Sequence, residues 1–259
     1  MSTLSQLGVS FAVAACLTAA LIVARIEWNS LRAEGKLTCV ILEDMRLSLA
    51  TLPTTIVAML IGAATWTLAF VAVAHASPYV LTGPPVLLGL AALIAADFSY
   101  YLEHRCAHRS MLLWRLYHAV HHTSKHYNVA VAYRVSFLHQ SVAPLFYLPW
   151  VALGFEPLLI MASHLIVLHY QGWVHTEHIG RLRFLDGWLN TPANHRMHHS
   201  AKLATSPRNF GGILIIWDRL FGTYIRPSKV NDYGIAGVPA PTSLWGLYTA
   251  PFRRPTDQS

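Results

Sequence analysis

LSLATLPTTIVAMLIGAATWTLAFVAVAHASPYVLTGPPVLLGLAALIAA, residues 47–96, runs for fifty residues without an Asp, Glu, Lys or Arg. One bilayer crossing by an α-helix takes about 20 apolar residues, so the stretch holds two. Proline and glycine at ASPYVLTGPP, residues 76–85, break it in the middle. The reading is a span over about 48–75 and a second over about 86–103.

The rest of the chain agrees. Of its 259 residues 54% are hydrophobic and 12% charged, with a mean hydropathy of +0.40. A water-soluble domain carries about 25% charged residues, so lipid is the main solvent here. LGVSFAVAACLTAALIVA, residues 7–24, is another uncharged stretch. It reads as a retained span rather than a signal peptide, because residues 1–6 carry no basic residue. Residues 25–46 are mixed in charge and read as an interfacial helix. Residues 135–174 hold one charge, Glu156, and GFEP at 154–157 divides them into a helical hairpin that re-enters the bilayer. The ending, PAPTSLWGLYTAPFRRPTDQS, reads as a loose surface tail.

The expected fold class is therefore an all-α integral membrane protein, with about four to five transmembrane or re-entrant helices and a cytoplasmic His-rich di-metal cap. Residues 1–85 would form the N-terminal helices and interfacial segment, 86–226 a domain that only a family resemblance of its motifs marks as catalytic, and 227–259 a tail. All 19 Lys and Arg lie in three stretches, 25–46, 105–134 and 181–254. Five spans would place all three in the cytoplasm, as the positive-inside rule requires, which in a bacterium means the inner membrane. The net charge of +7 belongs with these flanks and forms no stripe, so no nucleic-acid partner is expected. Cys16, Cys39 and Cys106 make no C-x-x-C pair, which argues against a disulfide framework or a thiolate metal site.

Fourteen of the 15 histidines lie between 104 and 199. They are ordered: HRCAH at 104–108, HAVHH at 118–122, His175, and HRMHH at 195–199. On a helix, positions i, i+3 and i+4 share a face, so each motif is a comb of imidazoles. His104, His108, His118, His121, His122, His175, His195, His198 and His199 are nine candidate ligands, too many for one metal and enough for two. His178, three residues after His175, is a possible tenth. Neutral imidazole suits iron, zinc, copper and nickel alike. His75, His126, His164 and His169 read as hydrogen-bonded core residues. A pH-sensing or proton-conducting patch would also cluster histidines, but three spaced sets favour metal.

These motifs carry a resemblance. DFSYYLEHRCAHRSMLLWRLYHAVHHTSKHYN, WVHTEHIG, LNTPANHRMHHS and NFGGILIIWDRLFGTY, within residues 90–226, resemble the fatty acid hydroxylase superfamily, also called the sterol desaturase family. Within it they look most like the alkylglycerol monooxygenase branch and its bacterial relatives. The resemblance implies two iron ions held by the nine histidines, O2 as co-substrate, and hydroxylation or desaturation of an aliphatic C–H bond of a lipid. A separate reductase or ferredoxin would supply electrons. No pterin motif is present, so tetrahydrobiopterin is not carried over.

Asp97 lies seven residues before His104, two turns away on one helix face, and is the candidate carboxylate of the catalytic site. Asn194 and Asn209 are weaker supports. Phe98, Tyr101, Trp114 and Trp173 are expected to line a lipid channel, and Asp218 and Arg219 to form a structural ion pair or a headgroup contact. Two other functions compete: a His-gated membrane metal transporter, and a metal-bound scaffold without activity. The histidine combs follow the spans instead of sitting at the bilayer midplane, which counts against a transport pathway.

Overall fold

The computed structural model describes residues 3–203 and 207–253. Among them there are helices, turns and two isolated bridges but no named strand. The principal helices are α1 (Thr3–Ala33), α2 (Cys39–Leu49), α3 (Leu52–Ala76), α4 (Pro85–Arg109), α5 (Pro157–Val174), α6 (Pro192–His198) and α7 (Leu244–Thr249). Three stretches are long and apolar enough to cross a membrane: Ala14–Ala33, Cys39–Ala76 and Pro85–Arg109. Leu21, Leu60, Ile61, Leu68 and Leu87 on them are exposed, forming an apolar belt of the kind lipid covers.

Local chemistry sets the helix ends. Pro53 and Pro85 stand in the first turns of α3 and α4, where a missing N–H costs nothing. Glu156 caps α5, its carboxylate accepting from Leu158 N and Leu159 N. α5 is the central post, packing against both α1 and α4. Gly172 permits the first contact, since a Cβ there would stand 2.9 Å from the Ala20 Cβ. Phe70, Ala92, Ala96, Tyr147, Val151 and Ile160 form a buried core between α3, α4 and α5.

Several expectations are corrected here. Residues 25–46 are not one interfacial helix: α1 runs on to Ala33 and α2 starts at Cys39. Residues 135–174 are not two matched helices. Pro144 and Pro149 cut the first half into turns of four or five residues, and only Pro157–Val174 is continuous. The C-terminal stretch is not loose over residues 239–253. Leu247, Ala250 and Pro251 are buried, the last two in a turn packed against the segment that carries HAVHH, and only residues 254–259 lie outside the described part.

One buried ion pair ties α2 to the histidine-bearing turns. Arg134, 0% exposed, donates to the Asp44 carboxylate, to Ser48 Oγ at 2.9 Å and to Thr123 Oγ1 at 3.2 Å. Thr123 follows HAVHH directly. Arg134→Ala is expected to cost about 3–5 kcal/mol, since it strands Asp44 without its partner. Thermal unfolding in detergent would measure this, and Asp44→Asn with Arg134→Met should regain most of the loss. An unchanged midpoint in Arg134→Ala would contradict it.

Candidate metal centre

α4 carries His104 and His108 in its last two turns, on the face that meets the later chain. The next segment passes through a π-helical turn at Trp114–His118 before Ala119–His121. A widened turn of this kind is frequent at functional sites and re-aims the side chains that follow it. His175 caps the C-terminus of α5. α6 begins at Pro192, capped by Thr191 Oγ1, and delivers His195, His198 and, at its end, His199.

The nine histidines meet in two groups. His104, His108, His118, His122 and His198 form one, and His121, His175, His195 and His199 the other, with ligand atoms in each within 4.8 Å of one another. The partition follows the motifs. Each i, i+4 pair (104/108, 118/122, 195/199) stays together, and the i+3 member of each H-x-x-H-H crosses to the other group. Each H-x-x-H-H comb therefore faces the seam between the two groups and feeds both, whereas HRCAH serves the first alone.

The distances fit a cation. Nε2 of His198 lies 2.9 Å from that of His104, 3.2 Å from His108 and 3.1 Å from His122. In the second group the Nε2 of His175 is 3.1 Å from His121 and 3.0 Å from His195, which is 3.2 Å from His199. Two nitrogens bound about 2.1 Å from one metal and about 90° apart lie about 3.0 Å from each other. Five nitrogens also exceed a tetrahedral zinc shell.

Proton placement makes the stronger test. His104 Nδ1 donates to Phe210 O at 2.9 Å, His198 Nδ1 to Arg208 O at 2.9 Å and His175 Nδ1 to Gln171 O at 2.7 Å. A neutral ring that donates through Nδ1 has only a lone pair at Nε2. His104 and His198 therefore aim two bare lone pairs at each other, an arrangement a shared cation stabilises. Outer hydrogen bonds to carbonyls are the usual way a ligating imidazole is oriented. The residues present fit a metal in each group.

Burial holds these imidazoles neutral. It pushes His198 down to about 3 and His175 to about 4, and drives His118, His121, His122, His195 and His199 well below the ordinary value. A depressed folded pKa contributes stability that is present above the unfolded value of about 6.5 and is lost as pH falls toward the folded value. At pH 5 each of His175 and His198 has forfeited about 2 kcal/mol. Asp218 acts oppositely: burial raises it to about 6, so its neutral form favours the fold as pH falls below that. The buried carboxyls, Glu27, Asp97 and Asp218, are outnumbered by the seven imidazoles. The metal-free protein is expected to lose thermal stability steadily between pH 7 and pH 5, and a flat or rising profile would count against neutral, buried rings.

The sequence-predicted residues fall unevenly. His178 is in neither group and is half-buried on the turn after α5. Asp97 is 1% exposed, and its carboxylate accepts from Ile213 N, from Leu214 N at 3.2 Å and from Trp217 Nε1 at 2.8 Å. None of those bonds reaches an imidazole. Asp218 is no partner of Arg219. It accepts from Phe210 N at 2.8 Å, Gly211 N at 2.7 Å and Thr223 Oγ1 at 2.7 Å, while Arg219 donates to Gly187 O. Together Asp97 and Asp218 hold the 210–217 turn, and that turn holds His104 through the Phe210 carbonyl. Gly212 is required by this approach, since a Cβ there would stand 2.5 Å from Asp97 Oδ1. Asn209 donates to Asn194 O and Ile225 O, and Asn194 to Asp186 O and Leu189 O, so both fasten backbone.

The expected channel lies elsewhere. Phe98 packs on Trp217 and Phe221, Tyr101 is fully buried, Trp114 lies against the His108 and His122 rings, and Trp173 against Tyr170. None of them lines the cavity of about 270 Å³ that the structure contains between α1, α3, α4 and α5. Leu17, Met59, Leu165 and Leu168 form its apolar wall, and His118, His121 and His175 close one end. Glu103, Tyr117 and His139, which sequence reasoning left unassigned, form its polar side: Tyr117 donates to Glu103, and His139 Nε2 lies 3.5 Å from Glu103. The available signal was adjacency, because Glu103 precedes His104 and Tyr117 precedes His118.

A helical membrane chain whose imidazoles close into two groups that could each hold a metal, beside an apolar cavity, defines an integral membrane protein with a candidate metal centre. The chain belongs to the fatty acid hydroxylase family, whose family model matches residues 89–223. It is 38% identical over 156 residues to an alkylglycerol monooxygenase of Danio rerio, covering 60% of this chain and 34% of that protein. It is 41% identical over 145 residues to the alkylglycerol monooxygenase of Homo sapiens, covering 56% and 32%. It is also 37% identical over 180 residues to the ornithine lipid hydroxylase OlsE of Rhizobium tropici, covering 65% and 50%. The chain thus spans about a third of the length of the alkylglycerol monooxygenases it matches and half that of the bacterial hydroxylase. No solved structure matches it.

Proposed function

We propose that this protein is a membrane-bound di-iron monooxygenase that hydroxylates an aliphatic C–H bond of a lipid. One observation carries the reading: the cavity ends on His118 from the first imidazole group and on His121 and His175 from the second, so a bound chain would meet both metal positions at once. The named activities of the relatives, monooxygenase and hydroxylase, favour oxygen insertion over desaturation.

In this reading His104, His108, His118, His122 and His198 hold one iron, and His121, His175, His195 and His199 the other. Iron supplies the activation of O2, with electrons from a separate reductase or ferredoxin. The chain supplies the rest. Carbonyls of Phe210, Arg208 and Gln171 fix three imidazole rings, and Asp97 and Asp218 fix the turn behind His104. The wall formed by Leu17, Met59, Leu165 and Leu168 takes an alkyl segment from the bilayer and keeps water away from the target carbon. Glu103, Tyr117 and His139 orient whatever polar group enters beside it. Residues 86–226 would carry the chemistry, anchored by 1–85, with the histidines on the cytoplasmic side as the basic flanks require.

The test is reconstitution in nanodiscs with Fe2+ under anaerobic conditions, followed by 18O2, a reductant and candidate lipids. Product carrying one 18O is expected. Leu168→Trp should lower turnover on the order of tenfold or more while iron content stays unchanged, because it fills the cavity without touching a ligand. Iron bound without labelled product from any lipid class would favour the scaffold reading. Full turnover in Leu168→Trp would move the substrate path elsewhere.

A further inference from the structure

Five large apolar side chains stand in the open beyond the long helices. Phe184 is 75% exposed, Leu220 67% and Trp188 50%, and Leu185 and Phe221 are exposed with them. They sit on two stretches, 184–188 and 220–221, that are fastened together. Ile215 N donates to Trp188 O at 3.0 Å, and Arg219 donates to Gly187 O at 2.6 Å. The Phe184 and Trp188 rings lie 6.4 Å apart. The five residues therefore belong to one piece of surface.

That piece leans on a helix long and apolar enough to span a bilayer. Phe221 packs on Phe98 at 6.0 Å and on Tyr101 at 5.5 Å, and Leu214 N and Trp217 Nε1 donate to the Asp97 carboxylate. Phe98 lies eleven residues before Arg109, the last residue of α4. At about 1.5 Å per residue that is about 16 Å back along the axis, within the candidate span Pro85–Arg109. Leu87, Leu90 and Ile94 are exposed and share a helix face with Phe98 and Tyr101, because they are spaced three and four residues apart. The apolar belt of α4 thus runs on into Phe221 and its neighbours.

The charge on this surface has one sign. Arg181, Arg183 and Arg219 are exposed on the same two stretches, Arg181 with its Nε 3.7 Å from Asp186. Asp186 and Asp218 are the only acidic residues between 181 and 226, and both are buried. We propose that Phe184, Leu185, Trp188, Leu220 and Phe221 insert into the headgroup layer of the leaflet in which α4 ends, and that Arg183 and Arg219 bind anionic phosphates there. Aromatic and alkyl side chains interleaved with arginine suit that layer, since the apolar groups dip below the phosphates and the guanidinium groups meet them. A water-soluble partner would have to reach past the headgroups to cover Leu220 and Phe221. The contact does not depend on the chemistry at the imidazoles.

The experiment holds one full chain per nanodisc of phosphatidylcholine and phosphatidylglycerol, in a Cys16→Ala, Cys39→Ala, Cys106→Ala background. Phe184→Cys and Leu220→Cys each carry a nitroxide. Leu90→Cys on α4 is the lipid reference, and Asn231→Cys, exposed on the cap, the water reference. Electron paramagnetic resonance reads collisions with O2, which concentrates in lipid, against those with a water-soluble nickel chelate. Both surface labels should favour O2 as Leu90→Cys does, while Asn231→Cys favours nickel. Arg183→Gln with Arg219→Gln should lower the excess of spin-labelled phosphatidylglycerol over phosphatidylcholine at the protein by about threefold or more. Nickel-favoured collisions at either position 184 or 220 overturn the insertion. A label shielded from both reagents means that a protein surface covers the site, which overturns it as well. An unchanged phosphatidylglycerol excess in the double Arg variant overturns the phosphate contact.

Discussion

His198→Ala is expected to remove one of two irons and to abolish turnover. His198 is the hub of its group, with three imidazole nitrogens within 3.2 Å of its Nε2 and its other nitrogen held by Arg208 O. Its loss opens the first group on the side that faces α6, while the second keeps all four of its histidines. Iron should fall from about two per chain to about one, and turnover by on the order of a thousandfold or more. The partition of the motifs sharpens the test. His108→Ala with His198→Ala draws on two motifs but one group, so it should also stop at one iron lost. His195→Ala with His198→Ala draws on one motif and both groups, and should lose both. His178→Ala should lose neither. Retention of two irons in His198→Ala, or equal losses in the two double variants, would refute the assignment. The readout is metal content together with Mössbauer spectra.

Asp97→Ala should be nearly as damaging without touching a ligand. Three donors, Ile213 N, Leu214 N and Trp217 Nε1, would lose their acceptor in a buried setting. A stranded buried donor costs about 1–3 kcal/mol, so the total is on the order of 3 kcal/mol or more. The displaced turn carries Phe210, whose carbonyl orients His104. Metal affinity should therefore fall along with the unfolding temperature, and Asp97→Asn, which keeps one acceptor oxygen, should recover part of each. A group that acted on substrate would behave differently: Asp97→Ala would then keep its stability and iron and lose only turnover. Calorimetry and iron titration on the same samples separate the two.

The long elements and the nine clustering histidines could be read from the sequence because both are periodic signals. Uncharged runs announce α3 and α4, and i, i+4 spacing brings His104 to His108 and His195 to His199. What was hidden is what depends on packing between distant segments. The split of each H-x-x-H-H between two groups follows from where four segments meet, which no single helix encodes. Asp97 and His104 do face the same way, as seven-residue spacing requires, but what they face is the 210–217 turn. Leu247 and Ala250 look like residues of a loose surface tail until their burial is known. Phe98 and Tyr101 are large and near the motif, yet they point to Trp217 and Phe221, while the smaller Leu17 and Thr55, far off in sequence, border the cavity.

Glu27 lies in the last two turns of α1, 2% exposed, with Val129 N and Thr176 Oγ1 donating to its carboxylate. In order of synthesis, those partners appear roughly one hundred and one hundred and fifty residues after it. Until then the carboxyl lacks both donors, and α1 lacks this tie to the 129–133 turn and to the turn after His175. Closing that contact draws Thr176, and His175 beside it, toward α1. Assembly thus follows the order of synthesis: α1 gains this tie only after the chain has delivered the segment that bears the lone histidine, so the second imidazole group is completed late.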